Sequence, residues 1–429
     1  MSLLSALTTG TAGLQANSTE LSVIGDNIAN ANTIGFKAGR AAFQDQLLQE
    51  IIGSPGGGQM GLGSRLQAIQ RLVTQGSIME TGLATDLALD GSGYFVVRGA
   101  QAGVQGQFYT RAGQFRVDES DYLSTLDGLR VQGYPNTGTG QARGNIGDLK
   151  VGSATAVAVP TGNITIRANL DSNAPIPTAA FDPLDPSATA SFATTTTIYD
   201  TLGNAHTVDV YWQHTAPGTW EFHAVTDGAN VTGGTAGQGS EIATGTLDFD
   251  TAGALVSSTQ SSNFLPTGAT QPQALTFNLG TPIPTGTGLD GVTQFAGAGT
   301  TTFVSQDGSS YGELASIQIN TRGEVIGAFT NGATRILGQV AVADFEAPDR
   351  LQRMGGNMLQ ETVDSGQPTI GDPGAGGRGV IKSGALEQSN VDLANEFVRM
   401  IAAQRGFQAN SKTITTADQL LQELMQIKR

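Results

Sequence analysis

The sequence predicts a multidomain chain, with long terminal α-helices pairing as a coiled coil and two mainly-β domains nested in the middle of the chain. Three observations predict it. The stretch from Ser389 to Arg429 has no proline and puts its apolar residues on one helical stripe. The N-terminal stretch, with no proline before Pro55, does the same. Between them the pattern changes to short alternating runs separated by Gly, Asp and Asn turns.

Taken in order, residues 2–31 read as the first helix. Leu7, Leu14, Leu21 and Ile28 recur every seven residues, with Leu4 and Ile24 on the same side. Gly10, Gly13 and Gly25 each cost up to about 1 kcal/mol relative to alanine, so the helix is marginal alone. Residues 33–75 read as a linking region, with a short helix around Ala41–Ile51 and a flexible Ser54-Pro55-Gly56-Gly57-Gly58 turn. Its expected return partner is 355–388, where Gly and Pro cluster again from Gly371 to Gly377.

An inner β domain is expected over 76–155 and 302–354. Leu87-Ala88-Leu89 and Tyr94-Phe95-Val96-Val97 read as a hairpin across Asp90-Gly91, followed by strands at 108–111, 114–117, 122–126 and 129–133, with Asp127-Gly128 as a turn. Ile317–Ile319, Glu324–Ile326 and Arg335–Val342 continue it late in the chain. An outer β domain is expected to be inserted over 160–300, with strands at 164–169, 195–199, 206–213, 219–225, 245–249 and 275–278. Its joints would lie near Gly152–Pro160 and Gly297–Thr302.

The closing stretch reads as a long helix. Leu393, Met400, Phe407, Ile414 and Leu421 are seven apart, and Ala403, Asn410, Ala417 and Leu424 follow three residues after four of them, which is heptad a/d spacing. Ser389 is the expected N-cap with Asp392 completing a capping box, and Lys428 and Arg429 sit at the negative end of the dipole. A helix of this length extends roughly 55–60 Å and needs a partner along it. Residues 1–32 and 389–429 therefore form the expected terminal helical domain, and its narrow seam positions suit close packing among many helices. Both ends are expected to order fully only against copies of the chain.

Composition removes several functions. The chain has 429 residues, beyond the reach of a single core. A net charge of −15 with 22 basic residues disfavours nucleic acid or an anionic membrane as partner. There is no cysteine, hence no disulfide or thiolate metal site. No apolar run reaches the length of a membrane span, so no membrane insertion is expected. The first basic residue is Lys37, so a secretory n-region is missing, which by itself points to the cytoplasm.

Catalysis, cofactors and metals find little support. His206, His214 and His223 could make a zinc site, but their spacing across strands does not force convergence, and histidines facing solvent are the plainer reading. Asp90-Gly91-Ser92-Gly93 hints at a calcium loop, yet Gln101 stands where an EF-hand has glutamate, so a tight turn explains it better. The glycine runs near Gly56 and Gly374 lack a following Gly-Lys-Ser/Thr. No spacing singles out a carboxylate pair among the 37 acidic residues. No catalytic, cofactor or metal residue is assigned.

Two terminal motifs carry a resemblance. Asn27-Ile28-Ala29-Asn30-Ala31-Asn32-Thr33-Ile34-Gly35-Phe36-Lys37 is similar to the N-terminal signature of bacterial flagellar rod and hook proteins. Ser389-Asn390-Val391-Asp392-Leu393, Ala403-Gln404-Arg405-Gly406-Phe407-Gln408-Ala409-Asn410 and Thr416-Ala417-Asp418 resemble the C-terminal signature of the same family. Thr197-Ile198-Tyr199-Asp200-Thr201-Leu202-Gly203-Asn204-Ala205-His206 resembles part of the insert domain of hook proteins, which favours hook over rod. The resemblance implies a structural subunit that self-assembles into a flexible helical tube transmitting torque from rod to filament. It implies as partners further copies of the chain, rod and hook–filament junction proteins, the hook cap during assembly and the flagellar export apparatus. It also implies an extracellular location reached without a cleaved signal peptide. A distal rod protein, or a secreted β-rich adhesin or enzyme, is the alternative. In the family the terminal helices form the inner wall of the tube, so the heptad positions above are the expected assembly seam.

Overall fold

The structure, a computed structural model, describes residues 3–50, 59–136 and 145–427. The expected Ser54–Gly58 turn and the basic pair Lys428 and Arg429 lie outside the described residues. The chain falls into two compact units. One comprises Met1–Ala154, Ser316–Gly327 and Arg335–Arg429, the other Thr155–Ala315 and Ala328–Thr334. The terminal and linking segments thus share one unit with 76–154, 316–327 and 335–354 of the expected inner β domain, while 302–315 and 328–334 fall in the other.

In the first unit, the N-terminal helix (Leu3–Ala29) and the C-terminal helix (Leu393–Ile427) pack together, and a long antiparallel hairpin of Gly39–Glu50 with Gln59–Arg71 packs on the former. That hairpin corrects the helix expected from Ala41. The composition Arg40-Ala41-Ala42-Phe43-Gln44 tolerates a helix, but Asn27 reaches across and bonds both backbone groups of Gly39, its Oδ1 accepting from the Gly39 N–H and its Nδ2 donating to the carbonyl, each at 2.8 Å. The chain therefore leaves Gly39 extended, and tertiary pairing overrides local propensity.

The inner sheet is centred on Tyr94–Gln101, which pairs with Val104–Thr110, Arg130–Pro135 and Val342–Asp344. Phe95 and Val97 enter a core with Phe108, Leu123, Val131, Leu149 and Val340, while Tyr94 and Val96 pack on the other face with Tyr109, Phe345 and Leu351. Burial on both faces explains why four apolar residues run consecutively there. The expected hairpin across Asp90-Gly91 is not formed: Leu87–Asp90 pairs with Val380–Ser383 instead. Residues 355–388 are likewise not an irregular partner for the first linker. They supply Met358–Gln360, Thr369–Gly371, Val380–Ser383 and Ala385–Glu387, which pair with strands of the inner region and with Ile78–Glu80.

The second unit has one core made by two sheets. Phe192–Tyr199, Ala205–Ala216, Thr219–Asp227, Gly239–Phe249 and Leu255–Ser262 form an antiparallel meander. Asn163–Asp171 pairs in parallel with Thr276–Asn278 and Thr293–Phe295, and antiparallel with Thr300–Gln306. The last pairing corrects the joint expected at Gly297–Thr302, because Thr300 to Gln306 is a strand of this unit and the chain leaves it only after Ala315. All six expected strands are present. Leu255–Ser262 was missed because five of its eight residues are Ser or Thr, leaving no apolar alternation.

Asp200 organises the tight turn between the first two meander strands. Its carboxylate, fully buried, accepts from the backbone N–H of Leu202 and Asn204, from Asn204 Nδ2 and from His206 Nε2 at 2.8–3.1 Å. Burial disfavours its charge, but the bonds from Asn204, His206 and Leu202 outweigh that and hold the carboxyl below its ordinary pKa. A depressed folded pKa contributes stability that is present above the unfolded pKa and lost as pH falls through the folded one. Asp200→Ala is therefore expected to destabilise this unit by about 3 kcal/mol at neutral pH. The deficit should shrink as acid titrates Asp200 in the wild type. Urea unfolding followed by tryptophan fluorescence checks it, since both tryptophans, Trp212 and Trp220, are buried in this core.

Candidate assembly surface and its root

The terminal helices approach closely because their facing positions are small. A Cβ on Gly10 would stand 2.9 Å from Ile414 Cγ1, one on Gly13 2.6 Å from Asn410 Nδ2, and one on Gly406 2.9 Å from Asn17 Oδ1. Residues 10, 13 and 17 thus meet 414, 410 and 406, so the helices run antiparallel. The glycines that weaken the isolated helix are what admit the second one. On a second stripe the N-terminal helix meets the hairpin, where a Cβ on Gly63 would lie 3.0 Å from Ala12.

The heptad residues divide between covered and open positions. Leu7, Leu14, Leu21 and Ile28 are half-buried, as are Met400, Asn410, Ile414 and Leu421, whereas Ala403 and Ala417 are buried. Leu393 and Phe407 remain 43% and 40% exposed. With Phe397, Val398 and Ile401, also exposed, they give the C-terminal helix apolar surface that the described residues of its own chain leave open.

Where the two chain ends leave the helices, they are bound to the β region through a buried ionic cluster. Glu387, fully buried, meets Lys37 Nζ at 2.5 Å through Oε1 and Arg111 Nη1 at 3.2 Å through Oε2, and its Oε1 also accepts from the Gly76 N–H. Lys37 further donates to the Thr74 carbonyl, and Arg111 to those of Leu89 and Gly91. Burial pushes the Lys37 ammonium below its ordinary pKa, with the Glu387 carboxylate pulling the other way. Sequence reading missed Glu387 and Arg111. The available signal was an acidic residue directly after Ala385-Leu386, where an exposed strand end would have been the ordinary reading.

Gly35, Phe36 and Asn390 of the motifs gather at the same root, while Gln404, Arg405 and Asn410 lie along the C-terminal helix. Gly35 adopts φ +71°, donates its N–H to the Glu387 carbonyl, and lies where a Cβ would be 2.6 Å from Ala112 N. Phe36 is buried beneath the Arg353 guanidinium, 5.0 Å from the ring centroid. Asn390 accepts from the Ala38 N–H and donates to Leu72 and Thr74, stitching three segments together. Asn30 bonds back to Asp26 and accepts from the Thr33 hydroxyl. Asn32, Gln404 and Arg405 are exposed. The expected cap is corrected by one turn of chain: Asp392, not Ser389, accepts from the N–H groups of Ala394 and Asn395, because Asn390 holds the preceding residues out of helical conformation. Ser389 Oγ accepts from the Val391 N–H instead.

The histidines do not converge on a metal. His206 donates to Asp200, His214 to the Ala174 carbonyl while stacking on Trp220, and His223 to Glu241 while stacking on Phe181. They are buried rather than solvent-facing, which corrects that expectation. The Asp90 loop is a turn held by Gln75 and Lys382. Among the described residues no group of three or more His, Cys, Asp or Glu could hold a metal ion, and no helix is long and apolar enough to cross a membrane.

Glu387→Gln would leave Lys37 and Arg111 buried without a counter-charge, and removal of one partner of a buried ion pair costs about 3–5 kcal/mol. The expected result is selective loosening of the chain ends. Hydrogen exchange should rise at 35–38, 74–76 and 385–391, with tryptophan fluorescence of the second unit unchanged.

Four family models match the chain. Residues 7–37 match the flagella basal body rod protein model and 382–427 the flagellar basal body rod FlgEFG protein C-terminal model. Residues 88–174 match the flagellar hook protein FlgE/F/G D1 domain, and 169–309 the flagellar basal body protein FlaE D2 domain. Among curated relatives, the flagellar hook protein FlgE of Borreliella burgdorferi is 35% identical over 99% of this chain and 100% of its own. That of Escherichia coli K12 is 34% identical over 99% and 100%, and that of Salmonella typhimurium 34% over 97% and 98%.

Proposed function

The chain belongs to the flagellar hook protein family, and we propose that it works there by burying the open face of its C-terminal helix against neighbouring copies in a flexible helical tube. The family consists of structural flagellar hook proteins, not enzymes. Its place is the hook of the bacterial flagellum, where it polymerises and associates with rod and other flagellar components. The observation that carries the mechanism is the exposed apolar set Phe397, Val398 and Ile401, flanked by the half-covered seam positions Leu393 and Phe407, on a helix whose Ala403, Asn410 and Ile414 stripe is already occupied.

The finer reading is mechanical. The terminal helices act as a short antiparallel coiled coil forming the inner wall, with Leu7, Leu14, Leu21, Ile28, Leu393, Met400, Phe407, Ile414 and Leu421 as seam and assembly positions. Identical heterologous contacts that do not close on themselves generate a helix of subunits. The Gly- and Thr-rich second unit supplies contacts that separate and re-form as the tube bends under torque. Hook–filament junction proteins, the hook cap and the flagellar export apparatus are the proposed partners, with export proceeding without a cleaved signal peptide. A distal rod protein shares the terminal motifs; the match of 169–309 to the FlaE D2 domain favours hook.

Purified protein is expected to polymerise into curved tubes visible by electron microscopy, and straight rigid rods would favour the rod reading. Phe407→Ala should raise the concentration needed for polymerisation about tenfold, the effect of roughly 1.4 kcal/mol of lost apolar burial. The urea midpoint of the second unit should not move. Tubes forming at the wild-type concentration would remove Phe407 from the assembly surface.

A further inference from the structure

A cavity of about 210 Å³ opens beside the root of the chain ends, within the first unit, and its lining is strongly basic. Lys37, Arg71, Arg111 and Arg353 all contribute to it, against Asp26 as the one lining carboxylate among the described residues. Asp26 is engaged by Arg353 at 2.9 Å, and Glu387 by Lys37 and Arg111. Among the described residues no carboxylate forms an ion pair with Arg71, and the charge of Asp349 reaches it only as a minor opposing influence. In a chain whose net charge is −15, such a concentration of cations runs against the composition.

The basic groups are also held in place. Arg71 Nη2 donates to the Leu351 carbonyl, Arg111 Nη2 to that of Gly91, and Arg353 Nη2 to that of Lys37. After these bonds, Arg71 Nη1 and, on the 6% exposed Arg111, Nε are buried donors with no partner among the described residues. Burial, and then the charge of Arg353, push the Arg71 guanidinium below its ordinary pKa. Native structures rarely leave buried guanidinium N–H groups unanswered, and an unanswered one next to further cations asks for an acceptor that also carries negative charge. The head groups are fixed before any ligand arrives, so little side-chain entropy is lost on binding.

We propose that this cavity is an oxyanion site, taking a sulfate-, phosphate- or carboxylate-type group between Arg71, Arg111 and Arg353. The group is either a free anion or the carboxylate of an acidic side chain on a neighbouring copy; both offer the same paired oxygens to a guanidinium. Sulfate binding by the dispersed chain needs nothing from the apolar face of the C-terminal helix, so its failure and the failure of the tube are separate results.

The test uses the full chain, titrated with sodium sulfate against sodium chloride at matched ionic strength and read by calorimetry and thermal melting. Sulfate stabilises proteins generally by exclusion from their surface, so the readout is the saturable part that distinguishes variants. Wild type should bind saturably, Arg71→Gln at least tenfold more weakly, and Asp26→Asn about threefold more tightly because a like charge has been removed from the rim. If saturating sulfate also slows polymerisation of the wild type but not of Arg71→Gln, the resident group is a neighbour's carboxylate. If binding occurs and polymerisation is indifferent, it is a free anion. Equal responses of wild type and Arg71→Gln would overturn the site. Should Arg71→Gln fail to fold, an unchanged affinity in Asp26→Asn would overturn it alone.

Discussion

The first unit depends on one buried carboxylate. Lys37 and Glu387 are 350 residues apart, and bringing such distant points together costs about 5 kcal/mol in loop-closure entropy for a flexible chain. A buried ion pair is a weak source of net stability, because desolvation of its members consumes most of the attraction. Its effect is on uniqueness. Any other register of 385–391 against 35–38 and 74–76 strands Lys37 or Arg111 without its partner, and that penalty excludes the alternatives. Asn390 and Gly35 sharpen the same choice through backbone bonds that a shift of one residue would break.

From that root the two helices run out side by side, and their spacing follows from residues that are unfavourable for an isolated helix. Gly10 and Gly13 lower helix propensity, yet any side chain there would collide with Ile414 or Asn410. The close approach buries Ala403 and Ala417 but uses up only one stripe of the C-terminal helix. Larger facing residues would hold the pair further apart and turn different positions outward. Close packing inside the molecule and the apolar row outside it are therefore two results of the same small residues.

Much of this was legible in the sequence and some was not, for identifiable reasons. The terminal helices and six of the strands of the second unit show in periodicity, and the Asp127-Gly128 turn shows in its glycine, which adopts positive φ. What failed were decisions made at a distance. Ala41 to Glu50 is a strand because Asn27 and Gln59–Arg71 make it one, and Leu87–Asp90 chooses Val380–Ser383 over its neighbour in sequence. The motif residues could be picked out, but their duties could not: Asn390 looked like part of a helix start and is a tie between three segments. Glu387 gave no local sign, since its importance lies wholly in the cations brought to it from residues 37 and 111.

The open apolar row also bears on why a polymer suits this chain better than a dimer. Leu393, Phe397, Val398, Ile401 and Phe407 are each between 40% and 67% exposed. Covering what remains of such side chains is worth about 1 kcal/mol apiece, since full burial of one yields about 1.5–3 kcal/mol. The row therefore offers roughly 5 kcal/mol, at the lower end of the 4–15 kcal/mol that association loses in translational and rotational freedom. One contact of this kind barely holds. A subunit seated among several neighbours incurs that loss once while covering both sides of its helix, so each added contact acts at high effective concentration. The same chemistry that leaves an isolated pair weak makes a lattice of copies cooperative, and it does so without requiring any strongly binding residue.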